Sequence, residues 1–162
     1  ALAKLAVSNR RHVIDTPMAT SFVLHPQLEL DTIPLGTYPL CRVLLMNDAN
    51  YPWLIAVPQR ANISEIYQLK DHEQAQLTIE SALIGQTIMH LFSGDKLNIG
   101  ALGNVVPQLH VHHIVRLHDD PAWPAPVWGH APAYQYNAAE LQKVSNKISR
   151  ALSASSEEFS PC

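Results

Sequence analysis

Along this chain the spacing of hydrophobic residues changes several times, and each change marks a predicted element. Phe22-Val23-Leu24 is a short apolar run of strand type, followed by a turn-rich stretch through Pro26, Asp31, Pro34 and Gly36. Arg42–Met46 and Trp53–Val57 are compact apolar runs suited to buried strands, and Pro58 ends the second. Between them, Asn47-Asp48-Ala49-Asn50-Tyr51-Pro52 consists of turn residues, so the two runs are predicted to pair as an antiparallel hairpin. Asn62 with Glu65 has capping-box spacing and predicts a short helix. Asp71 with Gln74 repeats that spacing before the longest helix, about residues 72–92, where Leu77, Ile84, Ile88 and Leu91 recur at helical intervals. Gly94 is placed to end this helix in the left-handed conformation. Two further strands are predicted at Leu97–Ala101 and Gln108–Arg116. The stretch Asp119–Pro132 carries Pro121, Pro124, Pro126 and Pro132 with Trp123 and Trp128. Proline lacks the donor a sheet interior needs, and the tryptophans predict that this stretch packs over the domain. Asn137 with Glu140 opens a last amphipathic helix through Leu141, Val144, Ile148 and Leu152.

These elements predict an α+β fold, an antiparallel sheet with a long helix packed on it and a C-terminal helix. At 162 residues the chain suits one domain, taken as residues 18–152 with an extension at 1–17 and a tail at 153–162. With 47% hydrophobic and 15% charged residues, a disordered chain and a membrane protein are both excluded. Apolar runs break well short of the ~18 residues a membrane span needs. The net charge of −3 comes with no basic stripe, which excludes a general nucleic-acid binder. The one adjacent basic pair, Arg10-Arg11, falls in the extension, which has no sustained apolar core and is not expected to be a secretory signal. Cys41 and Cys162 make neither a disulfide framework nor a zinc site, so the expected setting is the reducing cytoplasm.

Candidate chemistry gathers on one strand. In Gln108-Leu109-His110-Val111-His112-His113-Ile114-Val115, alternation puts Gln108, His110, His112 and Ile114 on one face. Leu109, Val111, His113 and Val115 take the other. With nine histidines in the chain, a His-x-His pair also fits a structural role or a metal pair. A metal would need further ligands; Gln108 is a poor one and His113 faces away, so neither a metal nor any other cofactor is expected. Gly103-Asn104-Val105-Val106-Pro107 leads into the polar face and allows close backbone approach to a ligand. Arg116, at the far end, reads as a solvated strand end.

At this point the sequence resembles the histidine-triad family of nucleotide hydrolases and transferases. That family's motif is His-φ-His-φ-His-φ-φ, with φ apolar, after a Gly-Gln-Ser/Thr-Val-x lead-in. Gln108 stands in the place of the first histidine, His110 of the central one and His112 of the third. The order of elements from Phe22 to Arg116 also matches. Together with the Asp-Pro-Ala-Trp-Pro segment at residues 120–124, Gln-Leu-His-Val-His looks like a bacterial branch. The resemblance implies that His110 attacks the α-phosphorus of a nucleotide or nucleotide conjugate, forming a transient nucleotidyl-histidine. His112 and Gln108 would bind the phosphoryl oxygens. It further implies that Asn47, or next Asp48, binds the ribose hydroxyls, although both also fit plain turn positions. Asn104 would contact phosphate or simply cap the bend. A homodimer built on the long helix and a sheet edge is implied as well. Two departures stand out: Gln108 cannot exchange a proton at neutral pH, and Val105 lacks the hydroxyl of the lead-in Ser/Thr. They keep open a second reading, a nucleotide-binding protein with little or no turnover.

Overall fold

The computed structural model describes residues 21–162; the expected extension at 1–17 lies outside them. Helix α1 (Pro26–Asp31) is followed by strands β1 (Thr32–Thr37), β2 (Cys41–Met46) and β3 (Trp53–Pro58). Then come helix α2 (Asp71–Leu91), strands β4 (Lys96–Gly100) and β5 (Val111–Arg116), helix α3 (Ala138–Ser155) and the two-residue strand β6 (Ser160–Pro161). The strands form one antiparallel sheet in the order β4-β5-β3-β2-β1-β6. The α+β class, the β2–β3 hairpin, the long helix and the C-terminal helix are as predicted.

The sheet divides the apolar residues into two cores. On one face, Leu45, Leu54, Val115 and Val43 pack with Leu77, Ile84 and Ile88 of α2 and with Ile148 and Leu152 of α3. On the other, Leu44, Trp53, Ile55 and Ile114 are covered by Leu24 and Leu28 from the α1 region, Val106, and Ala122 and Val127. The proline-rich stretch thus packs over the domain as its composition predicts, and it covers the face opposite the long helices.

Local departures have identifiable causes. Phe22–Leu24 is not a strand; its backbone is held by a side chain, described below. Pro26–Gly36 holds α1 and β1 rather than turns. Proline sits in the first turn of α1, where its missing donor is not needed. Pro34 is tolerated because β1 pairs with β6 only at Gly36 and Thr37, and a bulge lies between Pro34 and Gly36. At the start of α2, one residue before the predicted pair, Glu73 accepts from the Lys70 N–H at 3.0 Å; lysine has no acceptor to return the bond, so only this half of a capping box forms. The Asn62–Glu65 signal yields only a 3₁₀ turn at Ile66–Gln68, where Gln68 Oε1 accepts from the Glu65 N–H at 3.0 Å. Ser93, with φ of 51°, takes the left-handed position after α2 that Gly94 was expected to fill. Gly94 serves packing instead, since a Cβ there would lie 2.5 Å from Val115 and 2.7 Å from the Met89 sulfur.

Residues 153–162 are not a tail. α3 continues through Ser155, Phe159 is buried against Tyr38, and β6 adds to the outer edge of β1. A side chain at Gly36 would collide with the Ser160 carbonyl, so glycine is what lets the chain close there.

Candidate functional site

β5 is buried along its whole length, and alternation sends its histidines to opposite faces. His113 points toward α2, where its Nε2 lies 2.5 Å from Ser81 Oγ. His112 lies on the opposite face with His110, their ring centroids 4.9 Å apart. Ladder pairing begins only at Val111, so Gln108–His110 forms an irregular lead-in, with a bend at Gln108, anchored by the Leu109 N–H bond to the Ile63 carbonyl.

Partner chemistry fixes the hydrogens on both rings. His110 Nδ1 is 2.6 Å from the Gln108 carbonyl oxygen, which can only accept. Nδ1 therefore carries the hydrogen, and Nε2 presents a lone pair. His112 Nδ1 accepts from the Trp53 indole N–H at 2.9 Å, and indole can only donate. His112 is thus the opposite tautomer, with its hydrogen on Nε2. Burial pushes its pKa down to about 3, helped by repulsion from His110 and His113, so it is neutral at physiological pH. The pair offers one nucleophilic nitrogen beside one neutral N–H donor.

Aromatic rings wall this pair. Trp53 and Trp128 stand edge-on to His112 at centroid distances of 5.4 and 5.6 Å. Trp128 comes from the proline-rich strap, whose root is an ion pair. Arg116, 1% exposed, donates to both carboxylate oxygens of Asp120 at 2.7 and 3.0 Å and to Asn98 Oδ1 at 2.7 Å. Burial raises the Asp120 pKa, but the bonds from Arg116 and from the Ala122 and Leu117 N–H groups outweigh it and hold the carboxyl below the ordinary range. Arg116 is therefore a buried anchor rather than a solvated strand end.

The other sequence candidates occupy different surroundings. Both ends of the Gln108 amide are engaged: Oε1 accepts from the His25 N–H at 2.9 Å and Nε2 donates to the Val23 carbonyl at 2.8 Å. This amide fastens the segment before α1 to the lead-in. Asn47 Oδ1 accepts from the Tyr136 N–H, and Asp48 Oδ1 from the Asn50 and Tyr134 N–H groups. Both residues tie the approach to α3 to the end of β2. Asn104 is exposed on the loop before β5. None of these bonds links Asn47, Asp48 or Asn104 to the histidine pair. Sequence reasoning missed Trp53, Trp128, His25 and the Arg116–Asp120 pair. Trp53, Trp128 and His25 depend on long-range contacts, such as Trp53 opposite Ile114, that no local pattern displays, and the Arg116–Asp120 pair, though only four residues apart, lies outside any regular helix.

Among the described residues no three His, Cys, Asp or Glu side chains gather as a metal cage. A cavity of about 620 Å³ lies between α2 and α3, lined by Leu83, Thr87, His90 and Ala151, away from the histidine pair. No described helix is long and apolar enough to cross a membrane.

Comparison with known proteins follows the same lines. The HIT domain family model matches residues 27–119. A histidine triad protein from Marinobacter aquaeolei is 47% identical, covering 85% of this chain and 100% of that one, with a TM-score of 0.82. One from Bradyrhizobium japonicum is 44% identical over 82% and 99% of the two chains, with a TM-score of 0.80. One from Sinorhizobium meliloti is 46% identical over 80% and 96%, with a TM-score of 0.78. No curated protein matches the chain.

Proposed function

Because the chain belongs to the HIT domain family, whose members bind and process nucleotides, we propose that it is a hydrolase or transferase acting at a nucleotide α-phosphate through His110. The observation that carries this reading is the pair of complementary tautomers. The His110 Nε2 lone pair forms a bond to phosphorus as the bond to the leaving group breaks, and the departing group takes up a proton from solvent, which is returned when the attacking water or hydroxyl loses its own. The imidazolium so formed keeps its Nδ1–H on the Gln108 carbonyl, which offsets the new positive charge. His112 Nε2–H donates to a phosphoryl oxygen as negative charge grows there. Water or an acceptor hydroxyl then attacks phosphorus, releases the nucleotide and restores neutral His110.

In this reading Asn47 donates from its amide Nδ2 to a ribose hydroxyl, its Oδ1 being engaged by Tyr136. Asn104 contacts phosphate from the exposed loop, and Gln108 acts by holding the segment before α1. A cytoplasmic homodimer is part of the proposal. Among the described residues edge strand β4 is open on one side, with Ile99 51% exposed, and Ile79 of α2 is 52% exposed. The binding-protein reading is favoured by one observation, that the Gln108 amide is consumed by backbone bonds and supplies no proton to a leaving group.

Rapid quench in alkaline detergent, in which a histidine N–P bond survives, of protein mixed with α-³²P-labelled adenosine or guanosine conjugates separates the two. Label bound to wild type and absent from His110→Ala is the expected result. Tight nucleotide binding with neither label nor turnover makes the protein a binder.

A further inference from the structure

Two openings lie beside Gln108, and His110 lines the smaller of them. One is a small pit lined by Gly103, Gln108, Leu109 and His110, with Ser64 and Glu65 at its rim. The second, of about 360 Å³, is lined by His25, Asn62, Ile63, Ser64, Pro107 and Gln108. Ser64 and Gln108 line both, so the second cavity is the neighbour of the pit that holds His110.

The ring facing that cavity is oriented. Gln108 grips the His25 backbone N–H, and His25 Nδ1 accepts from the Gln27 N–H at 3.1 Å. An acceptor at Nδ1 leaves the ring hydrogen on Nε2, so His25 presents an uncharged donor. The charge inventory is equally informative. Among the described residues neither opening is lined by Lys or Arg, and the one carboxylate is the exposed Glu65. A phosphate group there would find no cation and would meet an anion.

We infer that the two openings together form the leaving-group subsite of the reaction proposed above, with Glu65 in the pit as charge filter and His25 in the larger cavity as hydrogen-bond donor, and that this subsite takes uncharged or cationic leaving groups in preference to phosphate. The inference rests on that reading of His110. It gives Gln108 a purpose in the place of the first motif histidine: the amide carries no proton to the leaving group but sets another imidazole beside it. Specificity of this kind comes from repulsion of the wrong substrate as much as attraction of the right one.

The test compares conjugates of one nucleoside monophosphate bearing a neutral alcohol, a cationic amino alcohol or phosphate, with the unconjugated monophosphate as control. His25→Ser keeps a helix-capping oxygen and removes the imidazole. It is expected to lower kcat/KM for the alcohol conjugates about three- to tenfold, the scale of one lost hydrogen bond, with Kd for the monophosphate unchanged. Glu65→Lys is expected to raise the phosphate-to-alcohol ratio about two- to fivefold at low salt and less at high salt. Equal weakening of conjugate and monophosphate by His25→Ser, or a substrate ratio unmoved by both variants, overturns the subsite. If wild type releases nothing from any conjugate in a His110-dependent way, the reaction falls instead. The subsite is then decided by the same variant pattern in Kd for conjugate against monophosphate.

Discussion

His112 and His113 are adjacent in sequence, both buried, and both held neutral by burial, with pKa values pushed down to about 3 and about 4. Yet they belong to different parts of the molecule. His113 faces the α2 side and meets a serine hydroxyl, which ties strand to helix. His112 faces the strap side, where an indole N–H occupies one nitrogen and the other is aimed beside His110. Burial alone makes a histidine a neutral piece of core. A donor-only partner on one nitrogen, with a second imidazole 4.9 Å away, makes it part of a site.

The sharpest way to break this contrast is to change each face in turn. His110→Ala is expected to lower kcat by a factor on the order of 10³ or more, the scale on which loss of a covalent nucleophile is felt. His113→Gln is expected to lower stability by about 1–3 kcal/mol while kcat stays within threefold. Parallel kcat and urea-unfolding measurements decide it, and a large kcat loss in the second variant would erase the distinction between faces.

Next in size is the ion pair under the strap. Asp120→Ala leaves the Arg116 charge buried without its partner, and a loss of about 3–5 kcal/mol is expected in denaturant unfolding. A loss below 1 kcal/mol would mean that the strap is not anchored there.

Acid tests both faces together. An unfolded histidine titrates near 6.5, so between that pH and the folded values the unfolded chain binds protons that the native chain excludes. Stability is therefore full above about pH 6.5 and is lost as pH falls toward about 4 for His113 and about 3 for His112. The slope is up to about 1.4 kcal/mol per pH unit for each group. Urea midpoints at pH 7, 6 and 5 should fall in sequence, and less steeply in His113→Gln. Midpoints flat across this window would contradict neutral burial of both rings.

The mildest change is Trp53→Phe, which keeps an aromatic wall and removes the donor. With its Nδ1 released, the His112 titration midpoint should rise from about 3, and the two neutral tautomers should mix. A kcat loss of about three- to tenfold follows from one hydrogen bond's worth of disorder. ¹⁵N chemical shifts of His112 report the tautomer directly, and an unchanged shift would show that Trp53 does not set it.

What could be read from the sequence was whatever is encoded locally. The Asn137–Glu140 capping box forms as predicted, with Asn137 Oδ1 accepting from the Glu140 N–H at 2.9 Å. The β2–β3 hairpin follows from its turn residues. Strand alternation alone separates His113 from the His110–His112 pair, because a period of two leaves no other choice. β1 was hidden because Pro34 and Gly36 are turn residues in most settings, and only its place near the sheet edge makes them tolerable. The tautomers of His110 and His112 were equally hidden. One depends on a carbonyl two residues back, the other on an indole 59 positions away that reaches the site through the β3–β5 register.

β6 carries a consequence of a different kind. By pairing at Gly36 and Thr37 it blocks part of the outer edge of β1, and Pro34, lacking an N–H, interrupts the rest. The opposite edge, β4, has no such cover among the described residues. A sheet with two open edges can add copies without limit, the geometry that leads to fibres. A sheet with one can join a second copy edge to edge about a two-fold axis and then has no edge left to offer. In the proposed homodimer the two residues of β6 would thus act as a chain terminator, stopping extension of the sheet at a pair.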